Sequence, residues 1–284
     1  MVYNDSSARQ WKLVFVILFL ILITLLISVL SVNHSSDLMV IACNVGQGDS
    51  LLIQKGNTQI IVDGGPGNKA VDCLSRYMPF WDRNIELAVL THPQADHYEG
   101  LIEVFKRYEV NYFLANEAGN ITQGYKVLKE KVGGMGTKVL NPNPSKDMGI
   151  GLIYLDILFP DKPINPSDDL NNYSVVFNLR YKNFSMLFTG DIGPEINAEI
   201  LAAGLTDVDV LKVPHHGSKN GLTEQVLNAT KPEIAIISVG EKNRYGHPHE
   251  EILQMLGNNK VKILRTDKSG DIIIRTDGDN IYYK

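Results

Sequence analysis

Apolar residues are arranged in two different ways along the chain. Residues 13–32 form an unbroken apolar run with no charged member, whereas beyond it short apolar runs alternate with Gly-rich turns and amphipathic stretches. Short apolar runs bounded by turn residues predict strands. On this pattern strands are expected at residues 38–43, 51–54, 59–62, 87–90, 111–114, 152–159, 174–181, 185–189, 208–213, 234–239, 261–265, 271–275 and 280–283.

Amphipathic stretches at the helical period separate many of these predicted strands. They predict helices at residues 68–78, 98–108, 123–132, 195–203, 222–229 and 249–256. Strands that alternate in this way with helices indicate an α/β fold in which two sheets pack together and the helices lie outside them.

The apolar run at residues 13–32 predicts a transmembrane helix. At about 1.5 Å per residue it spans about 30 Å, which matches the hydrocarbon core of a bilayer. Arg9 and Lys12 precede it, while residues 33–38 hold no Lys or Arg, so the positive-inside rule predicts a cytoplasmic N-terminus. We therefore expect a cytoplasmic segment 1–12, an anchor 13–32, a linker 33–37 and an extracytoplasmic domain 38–284. A cleaved signal peptide is the alternative, although the run exceeds the usual length of about 7–15 residues.

Composition and charge describe an ordinary globular domain behind this helix. Of the 284 residues, 44% are hydrophobic and 21% charged, and the formal net charge is −5, which argues against nucleic-acid binding by the whole surface. The two cysteines, Cys43 and Cys73, give no disulfide framework on their own. We expect them to be small buried side chains, with a disulfide between them as the alternative.

Polar residues capable of binding a metal ion cluster just after four of the predicted strands. Six of the seven histidines belong to these clusters, whose members are His92, Asp96, His97, Asp191, His215, His216, His247 and His249. Strand ends that converge at one edge make a concave site, and His with Asp is a ligand set suited to zinc, manganese or iron. The sequence therefore predicts a metal centre at this edge.

The motifs at these positions resemble those of the metallo-β-lactamase superfamily. The resemblance covers residues 38–284 and rests on the patterns His-x-x-x-Asp-His at 92–97, Thr-Gly-Asp at 189–191, Asn-Val-Gly-Gln-Gly-Asp-Ser at 44–50, Val-Asp-Gly-Gly at 62–65 and Val-Pro-His-His-Gly-Ser at 213–218. The last three are similar to the exported hydrolase domain of ComEC-type competence proteins. The resemblance implies a four-layer αββα sandwich, here preceded by one transmembrane helix.

The resemblance also implies a ligand set for one or two divalent ions, Zn²⁺ or Mn²⁺. One position takes Asp96, His97, Asp191 and His215, while His92 and His247 are candidates for a second, weaker position bridged by Asp191. Asn44 and Glu99 replace an Asp and a Gly that are usual in the superfamily, and two further departures concern the ligands. Gln94 stands where a second histidine is usual, and residues 171–174 supply no histidine ahead of Asp191.

Candidate roles in catalysis follow from the same residues. Asp96 is expected to orient the attacking water, and His216, His247 or His249 to protonate the leaving oxygen. The remaining candidates are expected to surround the ion or the substrate, and they are Gln47, Gly48, Asp49, Ser50, Asp63, Gln94, Ser218 and Lys219. Glycines in the 46–50 turn would let backbone N–H groups approach an anion, with a plain hairpin as the alternative. Asp63 is expected to support the ligands through hydrogen bonds.

The charge balance around the histidine loops suggests an anionic substrate, with a solvated surface face as the alternative. Residues 212–275 carry ten Lys or Arg against seven Asp or Glu, and Lys212, Lys219, Lys242 and Arg244 fall beside the histidines. We expect a membrane-anchored phosphodiesterase or nuclease related to the processing of DNA in competence and DNA uptake. The alternatives are an esterase acting on phosphorylcholine-type phosphodiesters of the cell wall and a non-catalytic module that binds DNA or a partner.

Overall fold

The computed structural model describes residues 5–32, 37–116, 119–144, 146–160 and 169–284. The chain divides into two compact units, Met1–Ser36 and Asp37–Lys284. The predicted linker at 33–37 lies outside the described residues except for Asp37, and the first four residues of the predicted cytoplasmic segment also lie outside them.

The first unit contains one helix, α1, at Asp5–Val32. Its Arg9–Leu26 segment has a mean hydropathy of 2.0 and none of it is buried. By length and composition, α1 is able to cross a membrane.

Two sheets form the centre of the second unit. The first has eight strands in the order β15-β14-β1-β2-β3-β4-β5-β6, and the second has seven in the order β13-β12-β11-β10-β9-β8-β7. The strands are β1 Leu38–Ala42, β2 Leu51–Lys55, β3 Thr58–Val62, β4 Asn84–Leu90, β5 Glu109–Ala115, β6 Lys138–Leu140, β7 Met148–Ile150, β8 Ile153–Phe159, β9 Val176–Tyr181, β10 Phe184–Phe188, β11 Val210–Lys212, β12 Ile234–Ile237, β13 Lys262–Arg265, β14 Ile272–Thr276 and β15 Ile281–Tyr283.

Helices cover the outer face of each sheet. They are α2 Lys69–Tyr77, α3 Ala95–Arg107, α4 Gln123–Gly134, α5 Asn197–Ala202, α6 Glu224–Thr230, α7 Glu250–Asn258 and the short α8 Thr266–Ser269. One apolar cluster fills the space between the sheets, and Phe177 stacks on Phe188 there with ring centroids 4.6 Å apart. A second cluster joins the first sheet to α2, α3 and α4, and a third joins the second sheet to α5, α6 and α7. The expected αββα sandwich is confirmed.

The observed elements differ from the sequence pattern at several positions. Helix α3 begins at Ala95, three residues ahead of the predicted start, because its first turn is polar and the apolar period only begins at Tyr98. Strands β6 and β7 were not predicted, since each has only three residues. The short helix α8 was not predicted either.

The two cysteines form a disulfide, so the expectation of two separate buried thiols is wrong. Cys43 follows β1 and Cys73 lies on α2, with Cα atoms 5.9 Å apart and a sequence separation of 30. Spacing alone could not show this pairing, because α2 crosses the sheet only after two intervening strands have returned the chain.

Candidate metal centre

The site is built where parallel strands of the two sheets end. In the first sheet β3 runs parallel to β4, and in the second sheet β10, β11 and β12 run parallel to one another. Polar residues follow each of these strands directly and carry the site: Asp63 after β3, His92 after β4, Asp191 after β10, His215 and His216 after β11, and Ser238 after β12. The carboxyl ends of both sheets therefore face a common cleft.

Asp63 fixes the turn that carries the first ligands. Its carboxylate accepts hydrogen bonds from the backbone N–H and the hydroxyl of Thr91, at 2.8 and 2.7 Å, and contacts His97 Nδ1 at 2.8 Å. Since Nδ1 is held by a carboxylate, Nε2 of His97 is left to face the cleft as a ligand atom. Asp63 thus acts as the expected support for a ligand.

A glycine contact sets the distance between this turn and α3. The Gly64 N–H donates to His97 O at 2.7 Å, and the Gly100 N–H donates to Gly65 O at 2.8 Å. A Cβ atom on Gly100 would lie 1.9 Å from Gly64 O, so only glycine allows this approach. The contact places Asp96 and His97, in the first turn of α3, against the end of β3.

His216 approaches the same cleft from the second sheet. His215 and His216 both have positive φ, 51° and 53°, and this turn directs His216 inward. Its Nδ1 lies 3.0 Å from Ser238 O and 3.4 Å from Asp49 Oδ1. As at His97, the contacts on Nδ1 leave Nε2 available to a metal ion.

Four side chains converge on one point. His97 Nε2 and His216 Nε2 lie 3.4 and 3.3 Å from Asp191 Oδ2, and His216 Nε2 lies 3.5 Å from Asp96 Oδ2. Three of these side chains are almost fully buried, whereas that of Asp96 is 32% exposed. The set is closed on the protein side and reaches solvent at one carboxylate.

The unpaired nitrogens of this cluster test whether a metal ion fits. Within the described part of the chain, His97 Nε2 and His216 Nε2 are buried and have no hydrogen-bond partner. Buried polar atoms are rarely left unpaired, and here the unpaired atoms are imidazole nitrogens that face carboxylate oxygens. A divalent ion bound by Asp96, His97, Asp191 and His216 satisfies all of them, so the residues present fit the group.

His92 lies beside this set but has fewer partners. Its Nδ1 is 3.1 Å from Thr91 Oγ1 and 3.3 Å from Ser174 Oγ, and its Nε2 is also buried. His92 also lies close enough to His97 and Asp191 to share a metal-binding group with them. Gln94, which stands where the superfamily pattern usually has a second histidine, is half-buried and lies directly before the first residue of α3.

A lysine lies at the bottom of the cluster. Lys212, the last residue of β11, has a side chain that is 1% exposed, and its Nζ contacts Asp49 Oδ2 closely. The same atom lies 4.0 Å from Asp191 Oδ1. Of the four basic residues expected beside the histidine loops, Lys212 is therefore buried, because a strand between two others carries it into the interior.

In the chain without a metal ion, this crowding of charged groups shifts the pKa values of the cluster residues. Burial lowers the pKa of His97 and of His216, but the carboxylate of Asp191, together with Asp63 at His97 and Asp49 at His216, more than compensates, so both pKa values stand well above the ordinary one. Burial raises the pKa of Asp191, yet the two histidines hold it well below its usual range. Burial lowers the pKa of His92 to about 3, so this ring is neutral near pH 7.

The Gly-rich turn at residues 46–50 packs directly on the site. Asp49 lies in convergent groups with Asp191 and His216, and its backbone N–H donates to Asp96 O at 3.2 Å. A Cβ on Gly48 would lie 2.2 Å from Asp96 O. Gln47 accepts a hydrogen bond from the Gly240 N–H at 3.3 Å. The turn therefore lies beside the proposed ligands, and the backbone N–H of Asp49 is already engaged by Asp96 O. Ser50, the last residue of the turn, is fully buried.

The other predicted histidines line the mouth of the cleft. The ring of His247 stacks on Tyr245 with centroids 5.6 Å apart and lies 5.8 Å from that of His215. Burial, followed by repulsion from neighbouring histidines, lowers the pKa of His247 to about 4. His249 accepts a hydrogen bond from the Lys219 N–H at 3.2 Å and so ties the 215–219 loop to α7.

Two adjacent histidines lie differently from their expected roles. His216, expected to be a proton donor, faces Asp96 and Asp191, whereas His215, expected to be a ligand, is absent from the convergent groups found among the described residues. His247 and His249 are absent from those groups as well. Ser218 is buried below the mouth, where its hydroxyl accepts from the Asn220 N–H at 3.3 Å. Sequence reasoning missed Ser174, whose hydroxyl accepts from the Asp191 N–H at 3.0 Å.

A fold of two sheets between helices, with an Asp/His cluster at the strand ends, defines a metal-dependent hydrolase fold. The chain belongs to the Metallo-beta-lactamase superfamily, whose family profile matches residues 43–241. It is similar to the solved metallo-beta-lactamase fold protein YhfI from Bacillus subtilis, with a TM-score of 0.56 and 10% identity over 87% of this chain and 100% of that one.

Competence proteins are among the curated relatives. The chain is 29% identical to ComE operon protein 3 of Bacillus subtilis, over 85% of this chain and 33% of the relative. It is 27% identical to Competence protein ComA of Neisseria gonorrhoeae, over 80% of this chain and 30% of the relative. The chain thus spans about a third of the length of the curated relatives it matches. The resemblance to ComEC-type competence proteins is confirmed.

Proposed function

We propose that the chain is a metal-dependent phosphodiesterase that acts outside the membrane to which α1 attaches it. The observation that carries the proposal is the buried set His97, Asp191 and His216, together with the half-exposed carboxylate of Asp96. An ion held there would lower the pKa of water to about 7 and offset negative charge on a phosphoryl oxygen. Zn²⁺ and Mn²⁺ are the candidates, since both accept nitrogen and carboxylate ligands.

The side chains around the ligands suggest how the reaction proceeds. Asp96 faces solvent and is held in its charged form, because the favourable contact with His216 outweighs the effect of burial on its pKa. It can therefore orient the attacking water and accept its proton. His215 stands half-buried at the mouth, with its ring 6.3 Å from that of His216, and is the histidine placed to protonate the leaving oxygen. His247, with a pKa of about 4, is neutral at pH 7 and is a poor proton donor.

Positive charge at the mouth favours an anionic substrate. Lys219, Lys242 and Arg244 are exposed on the loops that carry the mouth histidines, and Lys69 lies beside Gly46 of the Gly-rich turn. Exposed cations around a cleft in an acidic protein raise the local concentration of anions. A phosphodiester in DNA is our first choice of substrate, in line with the names of the competence relatives.

The location outside the membrane has two supports. Arg9 and Lys12 precede the apolar run and favour a cytoplasmic N-terminus. The disulfide between Cys43 and Cys73 is typical of an oxidising compartment. Digestion of the domain by protease added to intact cells tests this part of the proposal, and protection of the domain would contradict it.

The activity is tested with the purified full-length protein in detergent, loaded with Mn²⁺ or Zn²⁺. The substrates are a single-stranded DNA oligonucleotide, bis-p-nitrophenyl phosphate and p-nitrophenyl phosphorylcholine. We expect cleavage of the first two, and loss of cleavage in Asp96→Asn but not in Asp207→Asn, a remote carboxylate with 70% of its side chain exposed. Cleavage of the phosphorylcholine ester alone would indicate a cell-wall esterase. Metal binding without any hydrolysis would indicate a binding module.

A further inference from the structure

The proposed reaction assigns no role to the buried ammonium group of Lys212. Its side chain is 1% exposed at the end of β11, in contact with Asp49 and 4.0 Å from Asp191 Oδ1. Lysine is almost never fully buried unless it is paired, and a buried pair brings a cost of desolvation that an apolar pair would avoid. The position of its ammonium group therefore calls for an explanation.

The two oxygens of Asp191 face different kinds of partner. Oδ2 faces the ring nitrogens of His97 and His216 at 3.4 and 3.3 Å, whereas Oδ1 faces the ammonium of Lys212. A carboxylate that bridges two metal ions uses one oxygen for each. Here one side of the carboxylate faces the proposed metal ligands and the other side faces a cation that belongs to the protein.

The surrounding charge is otherwise strongly negative. Four carboxylates, those of Asp49, Asp63, Asp96 and Asp191, surround the histidines, and each takes part in the convergent groups. A fixed positive charge among them offsets part of this negative charge and repels a second divalent ion. On the His92 side, meanwhile, hydroxyls of Thr91 and Ser174 stand against the ring, and Asp191 is the carboxylate that this side shares with the first position.

We propose that the ammonium of Lys212 takes the place of a second metal ion and restricts the centre to one. Lys212 is then a positioning residue: it holds Asp49 and Asp191 and sets the charge of the pocket, while the one ion is bound by Asp96, His97, Asp191 and His216. The inference rests on the proposed function, since it assumes that a divalent ion binds at these residues.

If the charge of the pocket determines metal affinity, substitutions of the two partners in the ion pair should change that affinity in opposite directions. Lys212→Met removes the positive charge with little change in length, so the centre should bind cations more tightly. Asp49→Asn removes a negative charge and one contact to His216, so the centre should bind them less tightly. The double variant keeps the net charge of the wild type, and within the Asp49→Asn background the added Lys212→Met should again increase affinity.

The experiment measures metal binding by the full-length protein in detergent, without reference to activity. Bound Zn²⁺ is counted by elemental analysis after gel filtration, and its affinity is measured by competition with a fluorescent chelator. We expect one ion for wild type. For Lys212→Met we expect either two ions or an affinity increased by about 10- to 100-fold, the range in which neighbouring groups change metal affinity. Lys231→Met, whose side chain is 68% exposed and pairs with Asp207, is the matched control and should leave both values unchanged.

Other outcomes separate this inference from the proposed function. Two ions in the wild type, or unchanged binding when Lys212 is replaced in both backgrounds, would overturn the inference and leave the hydrolase proposal intact. A wild type that binds no ion would overturn both. If Lys212→Met alone does not fold, because it leaves Asp49 buried without its partner, the comparison of Asp49→Asn with the double variant decides the question.

Discussion

The site has two sides. Residues that follow the ends of strands form both of them, but the groups that surround each side differ. On one side, His97 and His216 have Nδ1 held by buried oxygens, and each Nε2 faces the carboxylate of Asp191. On the other, His92 has Nδ1 held by two hydroxyls, and Gln94 stands two positions further along the chain. Both sides therefore orient their imidazoles, but on the first side a carboxylate oxygen lies within 3.4 Å of each Nε2, whereas His92 belongs to a looser group with Asp191, within 4.8 Å.

This comparison teaches that orientation alone does not make a metal-binding side. A histidine turned toward the cleft places a ring nitrogen where it can bind a metal ion. Carboxylates in addition supply the negative charge that offsets the free-energy cost of desolvating a cation. The closer approach of carboxylate oxygens distinguishes the first side, where Asp191 lies within 3.4 Å of both Nε2 atoms. The side of His92 keeps the geometry of a ligand, while burial and repulsion from His97 lower its pKa to about 3 and keep the ring neutral.

The largest effect is expected from removing the shared carboxylate. Asp191→Ala deletes the oxygen that faces both ligand histidines and leaves two buried rings without their counter-charge. We expect metal affinity and hydrolysis to fall by more than about 100-fold, beyond what the loss of an outer partner costs. The far-UV circular dichroism should be unchanged, because three apolar clusters support the fold. Metal analysis of this variant beside Asp207→Asn measures the effect, and retained binding would show that the first side does not depend on Asp191.

A smaller effect is expected from loosening one ring without removing a ligand. Asp63→Asn replaces an oxygen that holds His97 Nδ1 at 2.8 Å with a group that can donate. We expect metal affinity to fall by about tenfold, the lower end of the range for partners of ligand histidines. Asp156→Asn, on the surface beside Arg180, is the control. Equal affinities for the two variants would mean that Asp63 serves only the fold.

The pH dependence of stability separates the two sides by sign. The folded pKa values of His97 and His216 lie above the ordinary value of 6.5, so their contribution is complete below about pH 6.5 and is lost as the pH rises toward the folded pKa. For His92, whose folded pKa is about 3, stability is instead lost as the pH falls from about 6.5 toward 3.

The metal-free protein should accordingly become less stable as the pH rises above 6.5. Urea unfolding after treatment with a chelator, followed at several pH values, measures the slope. His216→Gln should flatten it, whereas a metal ion should reverse it, because deprotonated histidine is the form that binds metal. A slope that is the same in wild type and His216→Gln would contradict the assignment.

The smallest effect is expected from repairing the second side. Gln94→His places a second imidazole near His92, but the hydroxyl of Ser174 and the ammonium of Lys212 remain. We expect a second ion that binds at least about tenfold more weakly than the first, seen only at raised metal concentration. A second ion of equal affinity would show that one missing ligand, and not charge, accounts for the weakness of that side.

The fold and the location of the site follow from the sequence more fully than the individual roles do. Polar residues directly after apolar strands predicted the cleft, because the carboxyl ends of parallel strands meet at one edge. The choice between His215 and His216 depends on two successive residues with positive φ, which no hydrophobic pattern reveals. The burial of Lys212 depends on Asp49, a partner from the opposite sheet, so its charge alone misleadingly indicated the surface.

The contact between Gly64 and Gly100 has a consequence for how substitutions in this protein would be interpreted. Neither residue touches a ligand atom, yet a Cβ on either would meet backbone, 2.3 Å from Leu101 N in one case and 1.9 Å from Gly64 O in the other. A side chain there would push α3 away as a rigid body and carry Asp96 and His97 with it, while Asp191 and His216 stayed in place. In a scan of random variants, substitutions of these two glycines would therefore lower activity as substitutions of the metal ligands do. The cause of the loss would be a changed distance between the two halves of the binding site.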